Sequence, residues 1–100
     1  MSDIFDVVVA NGTVVTADGR ARHDLAIKDG RIAALIPSGS GAHDAAQTID
    51  ASGRYVIPGG VDPHVHFRGR YQTIYNKDDY DNGSVAAAIG GTTTFLNFVL

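Results

Sequence analysis

The chain has 100 residues, 44% of them hydrophobic, and its eleven acidic side chains outnumber eight basic ones for a formal net charge of −3. That length allows one small domain with a modest core. The absence of cysteine excludes a disulfide framework and a thiolate metal site, so a metal would need nitrogen and oxygen ligands from His, Asp or a modified Lys. Net acidity without any basic run argues against nucleic acid and leaves a small molecule as the expected partner.

The opening MSDIFDVVVANG carries early acids, no basic segment and no long apolar core, so it does not read as a signal peptide. No run approaches the ~20 apolar residues of a membrane span, and a cytoplasmic protein is expected. All eleven acids are Asp, a residue that suits turns and caps better than helix interiors.

Three dipeptides, Asn11-Gly12, Asp18-Gly19 and Asp29-Gly30, are of the kind that supplies positive φ in tight turns. Between them FDVVVA and TVVTA are rich in β-branched residues, and RHDLAIK alternates, with Leu25 and Ile27 on one face. RIAALIP continues the series to Pro37, and an antiparallel meander is predicted. Ser38 to Gln47 is small and polar and reads as a surface loop. Two further strands, TIDAS and RYVI, are expected around Gly53, and Pro58-Gly59-Gly60 ends the all-β part.

Beyond it the pattern changes. Val61 to His66 reads as a strand, DDYDNGSVAAAIGG as a helix near Tyr80 to Ile89 with Asp caps and a Gly90-Gly91 stop, and TTTFLNFVL as a buried strand. That order predicts a βαβ unit with parallel strands. Ala86 to Ala88 would let the helix lie close to the sheet, whereas Gly83 costs the helix about 1 kcal/mol against Ala. One βαβ unit does not cover both faces of a parallel pair, so the segment reads as the opening of a larger barrel or sheet that continues past Leu100.

The stretch VIPGGVDPHVHFRGR carries the chemistry. On a strand, residues i and i+2 share a face, so His64 and His66 project together. Their Cα atoms would lie ~6.6 Å apart, within reach of one ion at Zn–N bonds of ~2.0–2.1 Å. They fall at the C-terminal end of the strand, where β/α barrels place their chemistry. A bare His-x-His is a weak signal in a chain with four histidines. The context strengthens it, because the loop from Phe67 to Lys77 exceeds the usual ~2–6 residues of a βα connection, and RGRYQTIY offers cations and aromatic rings there.

Asp62 has two readings, a carboxylate orienting a ligand imidazole or a structural turn acid. Arg68 shares the histidine face if the strand runs on far enough, where its planar fork suits a substrate carboxylate; Gly69 favours a solvated loop position instead. His23, His43 and Lys77 read as ordinary surface or packing residues, and Ser84 has no base nearby in sequence to make it a nucleophile.

At VIPGGVDPHVHF together with DDYDNGSVAAAIGGTTTFLNFVL the chain resembles the amidohydrolase superfamily, in particular its cyclic amide hydrolases: hydantoinase, dihydropyrimidinase, allantoinase and dihydroorotase. NGTVVTADG and IDASGRYVIPGG look like the family's N-terminal segment, so the similarity covers essentially the whole chain. The resemblance implies an α/β protein of several hundred residues with a β part. Residues 1–57 would be part of a β-sandwich domain, and residues 58–100 the first β-α-β of a (β/α)8 TIM barrel. It further implies two divalent metal ions, zinc in the expected case, with His64 and His66 on the more buried one. A carboxylated lysine, two histidines and an aspartate would complete the centre beyond Leu100.

The implied reaction is hydrolytic: hydroxide activated by the metals attacks a ring carbonyl of a hydantoin or dihydropyrimidine, and the ring opens to an N-carbamoyl acid. A homo-oligomer is expected, and the 100 residues by themselves are expected to be inactive. Arg68 recreates the His-x-His-x-Arg of dihydroorotases, where the Arg holds a substrate carboxylate. The acid-Pro-Gly that follows there is replaced by Gly69-Arg70, and FLNFVL looks more like hydantoinase and dihydropyrimidinase. A dihydroorotase or allantoinase type is therefore the alternative. A non-catalytic scaffold of the same fold and a small β-rich binding domain are the others, and retention of both histidines counts against the scaffold.

Overall fold

In the computed structural model, residues 4–40 and 43–98 are described, and the chain divides into two compact units, residues 1–58 and 59–100. The first contains all six expected strands: β1 (Phe5–Ala10), β2 (Thr13–Thr16), β3 (Gly19–Lys28), β4 (Arg31–Pro37), β5 (Ala45–Asp50) and β6 (Tyr55–Val56). They form one sheet in the order β5-β1-β3-β2-β6, with β4 also on β3.

This is not the simple meander that the turn dipeptides predict. β1 and β2 do not pair with each other; both run antiparallel to β3, β2 along Gly19–Arg22 and β1 along Leu25–Ile27. The register slips by one residue between Val9↔Leu25 and Thr13↔Arg22, so Asn11-Gly12 works as a bulge within one long interrupted strand. Asn11 takes the left-handed φ of 66°, and its N–H goes to the Asp24 carboxylate at 2.8 Å instead of closing a hairpin. Gly12 has no room for a side chain: a Cβ there would lie 2.6 Å from Val56 Cγ2. β5 and β6 add in parallel to β1 and β2, and β5 takes Ala45 to Gln47 out of the expected surface loop.

Val8, Val14, Ala26 and Ala51 make the small apolar core of this unit, with Asp24 buried among them. Asp24 accepts from the Asn11 N–H, from Ser38 Oγ at 3.1 Å and from His43 Nε2 at 2.8 Å. Burial pushes its carboxyl up, but these donors and the His43 charge outweigh it and hold the group below the ordinary carboxylate value. His43, on the expected surface loop, is thereby a packing residue of the β4–β5 connection.

The second unit is a parallel βαβ. β7 (Gly60–Val65) pairs with β10 (Thr92–Asn97) across α1 (Tyr80–Ile89). Asp79 caps the helix in a reciprocal box: its carboxylate accepts from the Asn82 N–H at 2.9 Å, while Asn82 Oδ1 accepts from the Asp79 N–H at 2.8 Å. Gly91, at φ 91°, turns the chain into β10. Ala86 and Ala87 line a cavity of about 270 Å³ beside Val65, Phe67 and Phe95, and Ala86 is exposed, so these alanines do not pack tightly against the sheet in the way their small size predicts.

The connection from Phe67 to Lys77 is not irregular. It contains a small antiparallel ribbon, β8 (Arg70–Tyr71) and β9 (Ile74–Tyr75), with Gln72 at φ 54° in its turn. β10 is only partly buried: Thr92, Phe95 and Asn97 are half-buried and Thr93, Thr94 and Leu96 exposed. Val99 and Leu100, the end of the expected strand, lie outside the described residues. Among the described residues no helix is long and apolar enough to cross a membrane.

Candidate metal centre

β7 delivers His64 from its second-last position, and His66 follows immediately after the strand ends at Val65. Pairing with β10 slips by one residue between Phe95↔Asp62 and Asn97↔Val65, so β7 bulges across Pro63-His64. Even so, the two imidazoles converge. Their Nε2 atoms are 2.9 Å apart and the ring centroids 4.9 Å, with the planes inclined at 62°. His64 is exposed and His66 half-buried.

The residue after β10 orients both rings. His66 Nδ1 lies 3.1 Å from the Phe98 carbonyl oxygen. A carbonyl only accepts, so Nδ1 carries the proton and the Nε2 lone pair faces His64. The Phe98 ring stacks on His64, centroids 4.2 Å apart and planes within 19°, and the Phe98 N–H donates to Val65 O at 2.8 Å.

The geometry fits a shared divalent cation. Nitrogens 2.9 Å apart with bonds of ~2.0–2.1 Å subtend about 90° at the ion, and a modest ring rotation opens this toward the tetrahedral ~109°. Among the described residues no group of three or more His, Cys, Asp or Glu side chains converges; His64 and His66 would offer such an ion two nitrogen ligands.

Asp62 places Oδ1 on the His64 backbone N–H at 3.1 Å, the turn-acid arrangement. Arg68 does not continue the strand. Phe67-Arg68 is a turn, Arg68 adopts φ 55°, and its N–H donates to Asp78 O at 2.7 Å. Alternation along an extended strand therefore does not carry it to the histidine face, and it is exposed. Ser84 Oγ donates to Asp81 O at 3.1 Å, one helical turn back.

Sequence reading passed over Asn97, Asn76 and Phe98. Asn97 Oδ1 accepts from the Phe67 N–H at 2.7 Å and its Nδ2 donates to Tyr80 Oη at 2.8 Å. Asn76 Nδ2 donates to His66 O. The available signal was one amide in the apolar run TFLNFVL, since a polar group placed among apolar ones needs partners.

Residues 47–94, which include both histidines and α1, match the amidohydrolase family. The chain is 47% identical over 93 residues to a D-hydantoinase of Ralstonia pickettii, covering 93% of this chain and 20% of that protein. It is 41% identical over 92 residues to dihydropyrimidinase 1 of Caenorhabditis elegans, covering 92% and 19%. Its backbone superposes on the crystal structure of D-hydantoinase from Bacillus sp. AR9 with a TM-score of 0.85 at 40% identity, covering 95% of this chain and 20% of that one. The chain thus spans about a fifth of the length of the relatives it matches. Sequence and backbone agree throughout the part covered: the chain is similar to the N-terminal portion of hydantoinases and dihydropyrimidinases, and its residues 47–94 carry the match to the amidohydrolase family.

Proposed function

We propose that the protein is a metal-dependent hydrolase that opens a cyclic amide ring of the hydantoin or dihydropyrimidine type, giving an N-carbamoyl acid, and that His64 and His66 ligate the more buried of two divalent ions, zinc in the expected case. In this reading residues 1–57 contribute part of a β-sandwich and residues 58–100 open a (β/α)8 barrel, within a cytoplasmic homo-oligomer. The observation that carries it is the convergence of two Nε2 atoms to 2.9 Å at the C-terminal end of a parallel strand, where barrels of this kind hold their reacting groups. Similarity to D-hydantoinases and dihydropyrimidinases supports the substrate class.

Bound there, a divalent ion supplies Lewis acidity and lowers the pKa of a water ligand. The residues of this chain act around it. Phe98 O keeps the His66 proton on Nδ1, so that Nε2 stays a donor of electrons. The Phe98 ring fixes the plane of His64. Arg68, exposed two residues past His66, is the proposed substrate-binding cation, and a carboxylated ring would be the substrate that needs it most.

Metal analysis of the purified full-length protein, with ring opening of hydantoin and dihydrouracil followed in parallel, tests the reading. The expected result is tightly held divalent metal and activity, both lost in His64→Ala and His66→Ala. A metal-free protein at neutral pH, or variants that keep metal and turnover, would refute it.

A further inference from the structure

We infer that Asn97 is a positioning residue for His66, acting through the peptide that follows the histidine; this deepens the metal-binding reading above and rests on it. The His66–Phe67 peptide is held on both sides by amide side chains. Its N–H donates to Asn97 Oδ1 at 2.7 Å, and its C=O accepts from Asn76 Nδ2. With Phe98 O on the imidazole Nδ1, His66 is fixed at its ring and at its peptide, although the strand has ended one residue earlier.

The orientation of the Asn97 amide follows from donor and acceptor chemistry. The Phe67 N–H only donates, so it requires Oδ1, and Nδ2 is left for Tyr80 Oη at 2.8 Å. Tyr80 is the first residue of α1, so the first turn of the helix sets the amide, the amide sets the Phe67 N–H, and the peptide sets His66. Asn97 itself stands opposite Val65 in the parallel register, which places its side chain level with the end of β7. The device compensates for the bulge at Pro63-His64, beyond which ladder pairing alone no longer fixes the chain.

Partners behind a ligating histidine typically change metal affinity about 10–100-fold when removed. The test uses the full-length protein loaded with Co²⁺. Release to a chelator and the cobalt d–d absorption bands are compared for wild type, Asn97→Leu and Asn97→Asp. Asn97→Leu removes the acceptor and should release metal at least about tenfold faster with altered bands. Asn97→Asp keeps an acceptor for the Phe67 N–H and should restore both toward wild type. Asn97→Ala replaces Asn97→Leu in the comparison if the latter fails to fold, with the same expectation. Wild-type release and bands in Asn97→Leu or Asn97→Ala, or equal loss in Asn97→Asp, would overturn the inference while leaving the metal site standing. A wild-type protein that binds no Co²⁺ or Zn²⁺ would instead overturn the metal reading, and the inference with it.

Discussion

Replacing Gly83 with Ala sets two effects of known size against each other. On helix propensity alone the substitution should stabilise α1 by about 1 kcal/mol, because Gly is the poorer helix former. Gly83 is buried against the Phe67 ring, however, and a Cβ there would lie 2.5 Å from Cε1, 2.6 Å from Cδ1 and 3.0 Å from Cζ. The ring is flanked by Phe95 and Tyr80, centroids 4.9 Å and 6.4 Å away, both edge-on, and must shift to admit the methyl. Overpacking of this kind costs about 1–3 kcal/mol, so the net change is a destabilisation of about 0–2 kcal/mol. Amide hydrogen exchange across α1 in the full-length protein reads this locally, with about tenfold less protection for each 1.4 kcal/mol. Protection that rises about fivefold, as propensity alone demands, would show that Phe67 moves freely and that the helix does not rest on it.

Four further outcomes follow from the same geometry. Asp24→Ala leaves the Asn11 N–H and the Ser38 hydroxyl without their acceptor and should cost the first unit about 1–3 kcal/mol, read as lost exchange protection in β1 and β3; unchanged protection refutes the role of the buried carboxylate. The Asp24 carboxyl is held below its ordinary 3.8, so its contribution is complete above that pH and declines as pH falls through the lower folded value. An acid titration should therefore loosen these strands only below about pH 4, and loosening near neutrality contradicts the assignment. Asp79→Ala removes the capping box and should weaken the first turn of α1 by about 1 kcal/mol, whereas Asp79→Ser should recover most of it. Arg68→Gln should raise KM for carboxylated rings with little change in kcat, and kinetics unchanged for acidic and neutral substrates alike would dismiss Arg68 as a binding residue.

What the sequence makes legible depends on how local the determinant is. The limits of α1 were readable because Asp79 and Gly90-Gly91 are signals within the segment they bound, and the strands of the first unit because their turn residues adjoin them. The pairing of β1 and β2 was not, since Asn-Gly serves a hairpin or a bulge equally well and the choice is made by Asp24, thirteen residues away. The ribbon of β8 and β9 escaped notice because its turn is Gln72-Thr73, which lacks the glycine or asparagine that usually marks positive φ. The histidine pair was readable from a spacing of two. Its support by Asn97 and Phe98 was hidden, because those contacts cross 30 and 32 residues and depend on a parallel register that no local pattern encodes.

That separation also orders events during translation. His64 and His66 leave the ribosome well before the Phe98 carbonyl that selects the His66 tautomer, and until then their backbone has no parallel neighbour. Closure of a segment this long is an entropic cost met only once α1 and β10 have been made. A nascent chain therefore presents two independently rotating rings first, and an oriented pair of imidazoles only once β10 is in place beside them.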